Sequence, residues 1–293
     1  MDPLVRLRAA PFSTAASASL ISRGVLDGPA YRQLMHGAHQ CAEDDLGHGR
    51  LVQAFRVTHG DGFVLLGPSA AWAHGACFAD DDTPVVVAVP SHHRLRRTST
   101  VVPSLARLRP TDVVATPFGP ATGLGRTAVD LARGVGTPGL PLDDRVADVD
   151  ALLRGTPLTA AGARTSVASL RGLHGLPAAR RAVELCRDDV DSPRETSLRL
   201  LLRRGGLPEP LVQCPVVLRS RQVARLDLGW PSLRAGCEYD GAVHSQPGQA
   251  RLDLRRHNLL REAGWSVLQV DASQLRRPDE VIRQVRALLD SRA

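Results

Sequence analysis

The run Ser192-Pro193-Arg194-Glu195 limits the possible folds more than any other stretch of this chain. Serine at the N-cap, proline at the first helical position and glutamate three residues after the serine together specify a helix start. The acidic run Asp188-Asp189-Val190-Asp191 precedes it, so a domain boundary near residue 190 follows. From that point the pattern reads in a fixed order. A helix runs to Arg204 and stops at Gly205-Gly206, and strands follow over 211–217 and 222–228. A loop at Gly229-Trp230-Pro231-Ser232 leads to a third strand from Arg234 to Asp240. A helix over 249–263 closed by Gly264, a strand over 265–270 and a last helix from Pro278 complete it.

Alternation then places the charged side chains. In the second strand Ala224, Leu226 and Leu228 face one way, which sends Asp227 the other. In the third, Ala235, Cys237 and Tyr239 share a face, so Glu238 and Asp240 project from the opposite one. Three carboxylates on neighbouring strands are thereby expected to converge. Glu195 shares a stripe with Leu198 and Leu202, so its carboxylate leans toward whatever the leucines cover; a capping-box role accounts for it equally. Arg256 falls on the apolar stripe Leu252, Leu259, Leu260 and Ala263, and an arginine there needs an anionic partner.

The order αβββαβα is that of the restriction-endonuclease-like core. The run SPRET, LxLLLRRGGLPEP, QVARLDLGWP, LRAGCEYDGAVHS and DLRRHNLLREAGWSVLQV resembles the carboxy-terminal domain of actinobacterial proteins related to very-short-patch-repair endonucleases, members of the PD-(D/E)xK superfamily. The resemblance spans nearly all of 192–293 and is sharpest in E-Y-D-G-x-x-H and D-x-x-R. It implies a Mg²⁺ or Mn²⁺ ion held by Asp227 and Glu238, with Asp240 standing where the superfamily's lysine would be and serving as general base or further ligand. It also implies Glu195 as the acid of the first helix and His244 as a catalytic group that orients water or protonates a leaving group. Arg256, with Arg255 beside it, would hold the scissile phosphate. Gln269 stands where relatives often carry arginine. Other readings stay open: Asp227 and Glu238 as strand acids on a solvent face, Asp240-Gly241 as a turn, and His244 as a loop residue.

Upstream, residues 11–39 have the outline of a small winged helix: a short helix opened by Ser13 or Thr14, a turn at Gly24, a second helix around Val25 and an extended Tyr31–His39 piece. Helical patterns at 46–66 and 68–75 and β-rich runs at 84–122 precede further helices near 125–133, 144–154, 157–171 and 177–189. The expected architecture is a multidomain α+β or α/β chain: a winged-helix-like unit over 1–45, a mixed α/β middle over 46–190, and a restriction-endonuclease-like domain over 191–293. Residues 11–135 resemble, more loosely, the winged-helix and following region of AbiEi-type antitoxins, which implies a toxin–antitoxin or defence-system partner.

Composition narrows the chemistry. All 37 basic residues are arginine, so the absence of lysine excludes Schiff-base enzymes, the phosphate-loop lysine and a nuclease that keeps the usual active-site lysine. Residues 1–191 carry 20 Arg against 19 acids, while 192–293 carry 17 Arg against 11 acids, which puts the footprint for a polyanion in the last hundred residues. Five cysteines form no C-x-x-C pair, and no apolar run approaches membrane-spanning length. The expectation is a cytoplasmic Mg²⁺-dependent endonuclease acting on DNA, with no membrane partner and no small-molecule organic cofactor. The alternative is a non-enzymatic DNA-binding regulator of the antitoxin type on a degenerate nuclease fold.

Overall fold

A computed structural model describes residues 10–76, 83–89, 95–240 and 249–293. The chain divides into two compact units, Met1–Cys186 and Arg187–Ala293. The second boundary expected from sequence, near residue 190, falls within a few residues of this division. Both units mix helices and sheets, so the chain is a multidomain α+β protein.

The amino-terminal unit opens with β1 (Phe12–Ser13) and α1 (Thr14–Ser17), where Ser13 Oγ caps the helix by accepting from Ala16 N at 3.0 Å. After α2 (Arg23–Leu26), the piece expected to be continuously extended is a hairpin. Strands β2 (Tyr31–Met35) and β3 (Ala38–Cys41) turn at His36-Gly37, where Gly37 takes a φ of 81°. Helix α3 (His48–His59) packs on all three strands. Its Val52 and Phe55 share one apolar core with Leu34 and Met35 of the hairpin and Val85 and Val87 of the next sheet. The boundary expected at residue 45 therefore falls inside a continuous core, and the division it implied is corrected: Val52 and Phe55 of α3 pack in one core with residues from both stretches. The next sheet has five strands, in the order β6 (Val101–Ser104), β5 (Val85–Ala88), β4 (Val64–Leu65), β8 (Gly119–Thr122), β7 (Val113–Thr116). Helices α5 (Leu124–Arg133), α6 (Leu142–Gly155), α7 (Ala160–Ser169) and α8 (Leu176–Leu185) pack on one another after it, and α4 (Gly67–Ala73) packs on α5.

The carboxy-terminal unit follows the order read from sequence. Its elements are α9 (Pro193–Arg204), β9 (Leu211–Leu218), β10 (Arg221–Trp230), β11 (Ala235–Asp240), α10 (Gln249–Glu262), β12 (Ser266–Asp271), a short α11 (Ala272–Leu275) and α12 (Pro278–Asp290). The sheet order is β12-β11-β10-β9. β9, β10 and β11 are antiparallel neighbours, while β11 and β12 run parallel and are joined by the crossover that contains α10.

Two apolar layers cover the sheet. On one, Leu198, Leu201 and Leu202 of α9 and Val281 and Val285 of α12 meet Val212, Leu228, Cys237 and Val270. On the other, Leu260 of α10 meets Cys214, Val216 and Leu226, with Trp265 and Val267. Two expectations are corrected here. Leu226 and Leu228 do not share a face: they belong to opposite layers, and strict alternation is broken where Gln213, on the neighbouring strand, adopts a left-handed φ of 49°. The apolar α10 stripe also starts late, because Leu252 is exposed and the apolar contacts with the sheet come further on, at Leu260 and Ala263.

Candidate functional site

The ladder between β10 and β11 pairs Leu228, Gly229 and Trp230 with Cys237, Gly236 and Ala235. One step beyond it, the Asp227 carboxylate accepts from the backbone N of Tyr239 at 2.8 Å, so a side chain takes the donor next along β11. Asp227 and Glu238 are thus held side by side on adjacent strands.

Glu195 approaches from α9. It is 6% exposed, and its Oε2 accepts from Gln213 Nε2 at 2.7 Å and from Asp191 N at 3.0 Å. Ser192 Oγ accepts from Glu195 N at 3.2 Å, so Ser192 is the N-cap that the sequence specified. Glu195 is therefore a helix-start residue, and its charge adds to the upward push on the Asp227 carboxyl.

Arg256 comes from α10. Its Nη1 donates to Glu238 Oε2 at 2.8 Å, its Nη2 donates to Glu238 Oε1, and Nη2 also donates to the Arg225 carbonyl at 3.0 Å. The anionic partner expected for this arginine is Glu238. The Asp227 carboxyl is pushed up to about 6, first by burial and then by the Glu195 and Glu238 charges, against the pull of the Tyr239 N–H and the Arg256 guanidinium. On the other face the Cys237 thiol is pushed up by burial and by the Asp227 and Glu238 charges, which makes it inert as a nucleophile.

The remaining expected residues are placed differently. Asp240 ends β11, exposed, opposite Asp271 of β12. Among the described residues no three His, Cys, Asp or Glu side chains are grouped to hold a metal ion, so the convergence expected for Asp227, Glu238 and Asp240 is corrected. The reason is that Asp240 lies at the exposed strand end while Asp227 is turned into the gap beside Tyr239. Arg255 is exposed on α10, and His244 lies outside the described residues. Gln269 is the register partner of Glu238 on β12 and is exposed. Gln213, which orients Glu195, was not singled out from sequence, because a glutamine within a strand carries no signature for this role.

Carboxylate oxygens are hard donors, so Asp227 and Glu238, on adjacent strands, suit a hard divalent cation in kind. Glu238 is meanwhile occupied by Arg256 at both oxygens.

No family model matches the chain, and no solved structure matches it. Two proteins of Mycobacterium tuberculosis are similar to it: "Uncharacterized protein MT2308" of strain CDC 1551 / Oshkosh and "Uncharacterized protein Rv2248" of strain ATCC 25618 / H37Rv. Each is 30% identical over 172 residues, which is 58% of this chain and 62% of the relative. The alignment thus spans less than two thirds of the relatives' length.

Proposed function

We propose that the carboxy-terminal unit is a Mg²⁺- or Mn²⁺-dependent phosphodiesterase acting on DNA. The observation that carries this reading is the placing of Asp227 and Glu238 side by side on β10 and β11, Asp227 held by the Tyr239 N–H and Glu238 by the Arg256 fork. Like charges gathered in a buried place cost stability unless a cation is to be bound there. The αβββαβα order is the one that the sequence resemblance implies for a nuclease core, and it supports the reading.

In this reading Asp227 and Glu238 hold the cation, and the backbone N–H of Tyr239 fixes the Asp227 carboxylate. Gln213 and the Asp191 N–H fix Glu195 behind it. Asp240, exposed at the strand end, accepts a proton from the attacking water, and His244 supplies one to the leaving group. Arg256 and Arg255 meet the phosphate, where a guanidinium fork matches two oxygens. The bound cation would lower the pKa of the attacking water and offset charge developing on the phosphate. The amino-terminal unit, with its short helices and hairpin, helps dock DNA or a toxin partner. The proposed setting is the cytoplasm; no helix among the described residues is long and apolar enough to cross a membrane.

A plasmid-nicking assay tests the reading. Wild type should nick with Mg²⁺ or Mn²⁺ and not with EDTA, and Asp227→Ala should abolish nicking while duplex binding remains. Binding should weaken steeply with salt if arginines contact phosphates. One observation favours the regulator: among the described residues no three-ligand group is formed. Salt-sensitive binding without nicking by wild type under any divalent ion would assign the chain to that class.

A further inference from the structure

The Arg256 guanidinium covers both carboxylate oxygens of Glu238 and is itself tied to the Arg225 carbonyl, two residues before Asp227. It brings a single positive charge beside Glu238, next to the strand that carries Asp227. A bidentate guanidinium uses the same lone pairs that a cation needs, so the two compete for Glu238. A third of the Arg256 side chain is exposed, whereas the Glu238 side chain is 10% exposed. The arginine therefore has a route outward and the acid does not. Arg256 is also placed on the turn of α10 just before the buried anchor Leu260, so the helix stays seated while the side chain swings.

We infer that Arg256 is a displaceable counter-ion: it stands in for the divalent cation at Glu238 and leaves for a nucleic-acid phosphate when substrate arrives, so that cation and DNA binding are coupled. The inference rests on the metal-site reading above. A cation alone has to displace a charge-assisted pair at Glu238. A phosphate that arrives with it gives the guanidinium a new anion, which removes most of that penalty. Linkage requires the reverse as well: the cation must tighten DNA binding by the same factor.

Mn²⁺ binding to the full chain, followed by electron paramagnetic resonance of the free ion, tests this with and without a short duplex carrying an uncleavable phosphorothioate backbone. For wild type, the duplex should tighten Mn²⁺ binding about tenfold or more, a coupling of ordinary size for linked sites. Arg256→Gln without DNA should bind Mn²⁺ about tenfold more tightly than wild type and lose most of the duplex effect. Arg256→Lys, which keeps the charge and loses the fork, should fall between them; it also serves if the glutamine variant does not fold. Wild type and the variants binding Mn²⁺ equally, with no duplex effect, would overturn the counter-ion role and leave the metal site standing. No Mn²⁺ binding by wild type or by either variant would sink both readings.

Discussion

Gln213 Nε2 donates to Glu195 Oε2 across 2.7 Å, joining strand β9 to the first turn of α9 from a backbone held at a φ of 49°. A left-handed glutamine is strained, and strain of this kind persists where neighbouring contacts hold it. The same carboxylate oxygen accepts the Asp191 N–H, so one buried atom fixes both the entry to the helix and the bend in the strand.

Glu195→Ala would leave the Gln213 amide and the Asp191 N–H without their acceptor in a nearly dry place. A loss of about 2–3 kcal/mol is expected from urea unfolding. Glu195→Gln keeps an acceptor oxygen and removes one of the charges that act on Asp227, so it should lose less than about 1 kcal/mol. Equal losses for the two variants would show that the charge, and not the acceptor, is what the site needs.

Asp227 should behave in the opposite sense. Burial and two nearby acids make its ionised form costly, and the carboxyl sits at about 6. Asp227→Asn keeps an oxygen for the Tyr239 N–H and removes the charge, so the melting temperature at pH 7.5 should rise by a few degrees, because a charge held at a cost to the folded state is gone. The gain should shrink as pH falls below about 6, because wild-type Asp227 is then protonated too. A melting temperature that falls at pH 7.5 would mean that the carboxylate contributes to folding.

The element order of the carboxy-terminal unit was readable because each helix carries its own stop and start: Ser192 before the first, Gly205-Gly206 after it and Gly264 after the crossover helix. The anionic need of Arg256 was readable as well, and it is met by Glu238. What failed was orientation. Alternation assumes an unbroken ladder, and a local departure at Gln213 transfers Leu226 to the opposite layer from Leu228 without any change in residue type that announces it. A helical stripe likewise says that Leu252 and Leu260 share a side, but not that the surface beneath ends before Leu252. The boundary at residue 45 misled for a related reason, since the winged-helix outline describes local elements and not the α3 core that continues past them.

In the amino-terminal unit, His48 supplies a pH test that is independent of the candidate site. The Val86 N–H donates to Ser69 Oγ at 2.8 Å, the Ser69 hydroxyl lies 3.0 Å from His48 Nε2, and His48 Nδ1 lies 2.8 Å from the Thr83 carbonyl. A carbonyl only accepts, so Nδ1 carries the proton and Nε2 accepts from Ser69. Burial lowers the His48 pKa, against the smaller upward pull of the Thr83 carbonyl. Below the unfolded value, about 6.5, the unfolded chain takes the proton more readily than the folded one, so this contribution is full above about pH 6.5 and is lost as pH falls through the folded value. Urea unfolding should show that loss in wild type, and His48→Gln should flatten it. An unchanged pH slope in the variant would assign the acid sensitivity to other groups.

Arg126 anchors the most deeply buried ion network among the described residues. Its Nε reaches both Asp130 oxygens at 3.1 Å and its Nη1 reaches Asp112 Oδ2 at 3.2 Å, with Asp130 1% exposed and Asp112 7% exposed. Arg133 and Arg109 also bind these acids at 2.8 Å, so each keeps a second cation when Arg126 is removed. Arg126→Met should nonetheless cost about 3 kcal/mol, since a buried carboxylate loses half its compensation while its desolvation stays. Adding Asp130→Asn to that variant should return part of the loss, because the acid with the least access to water is then neutral. In a double-mutant cycle this appears as a coupling of about 1–3 kcal/mol between the two positions. Strict additivity would show that the pair contributes no mutual stabilisation and that Arg126 acts through the packing of its aliphatic stem alone.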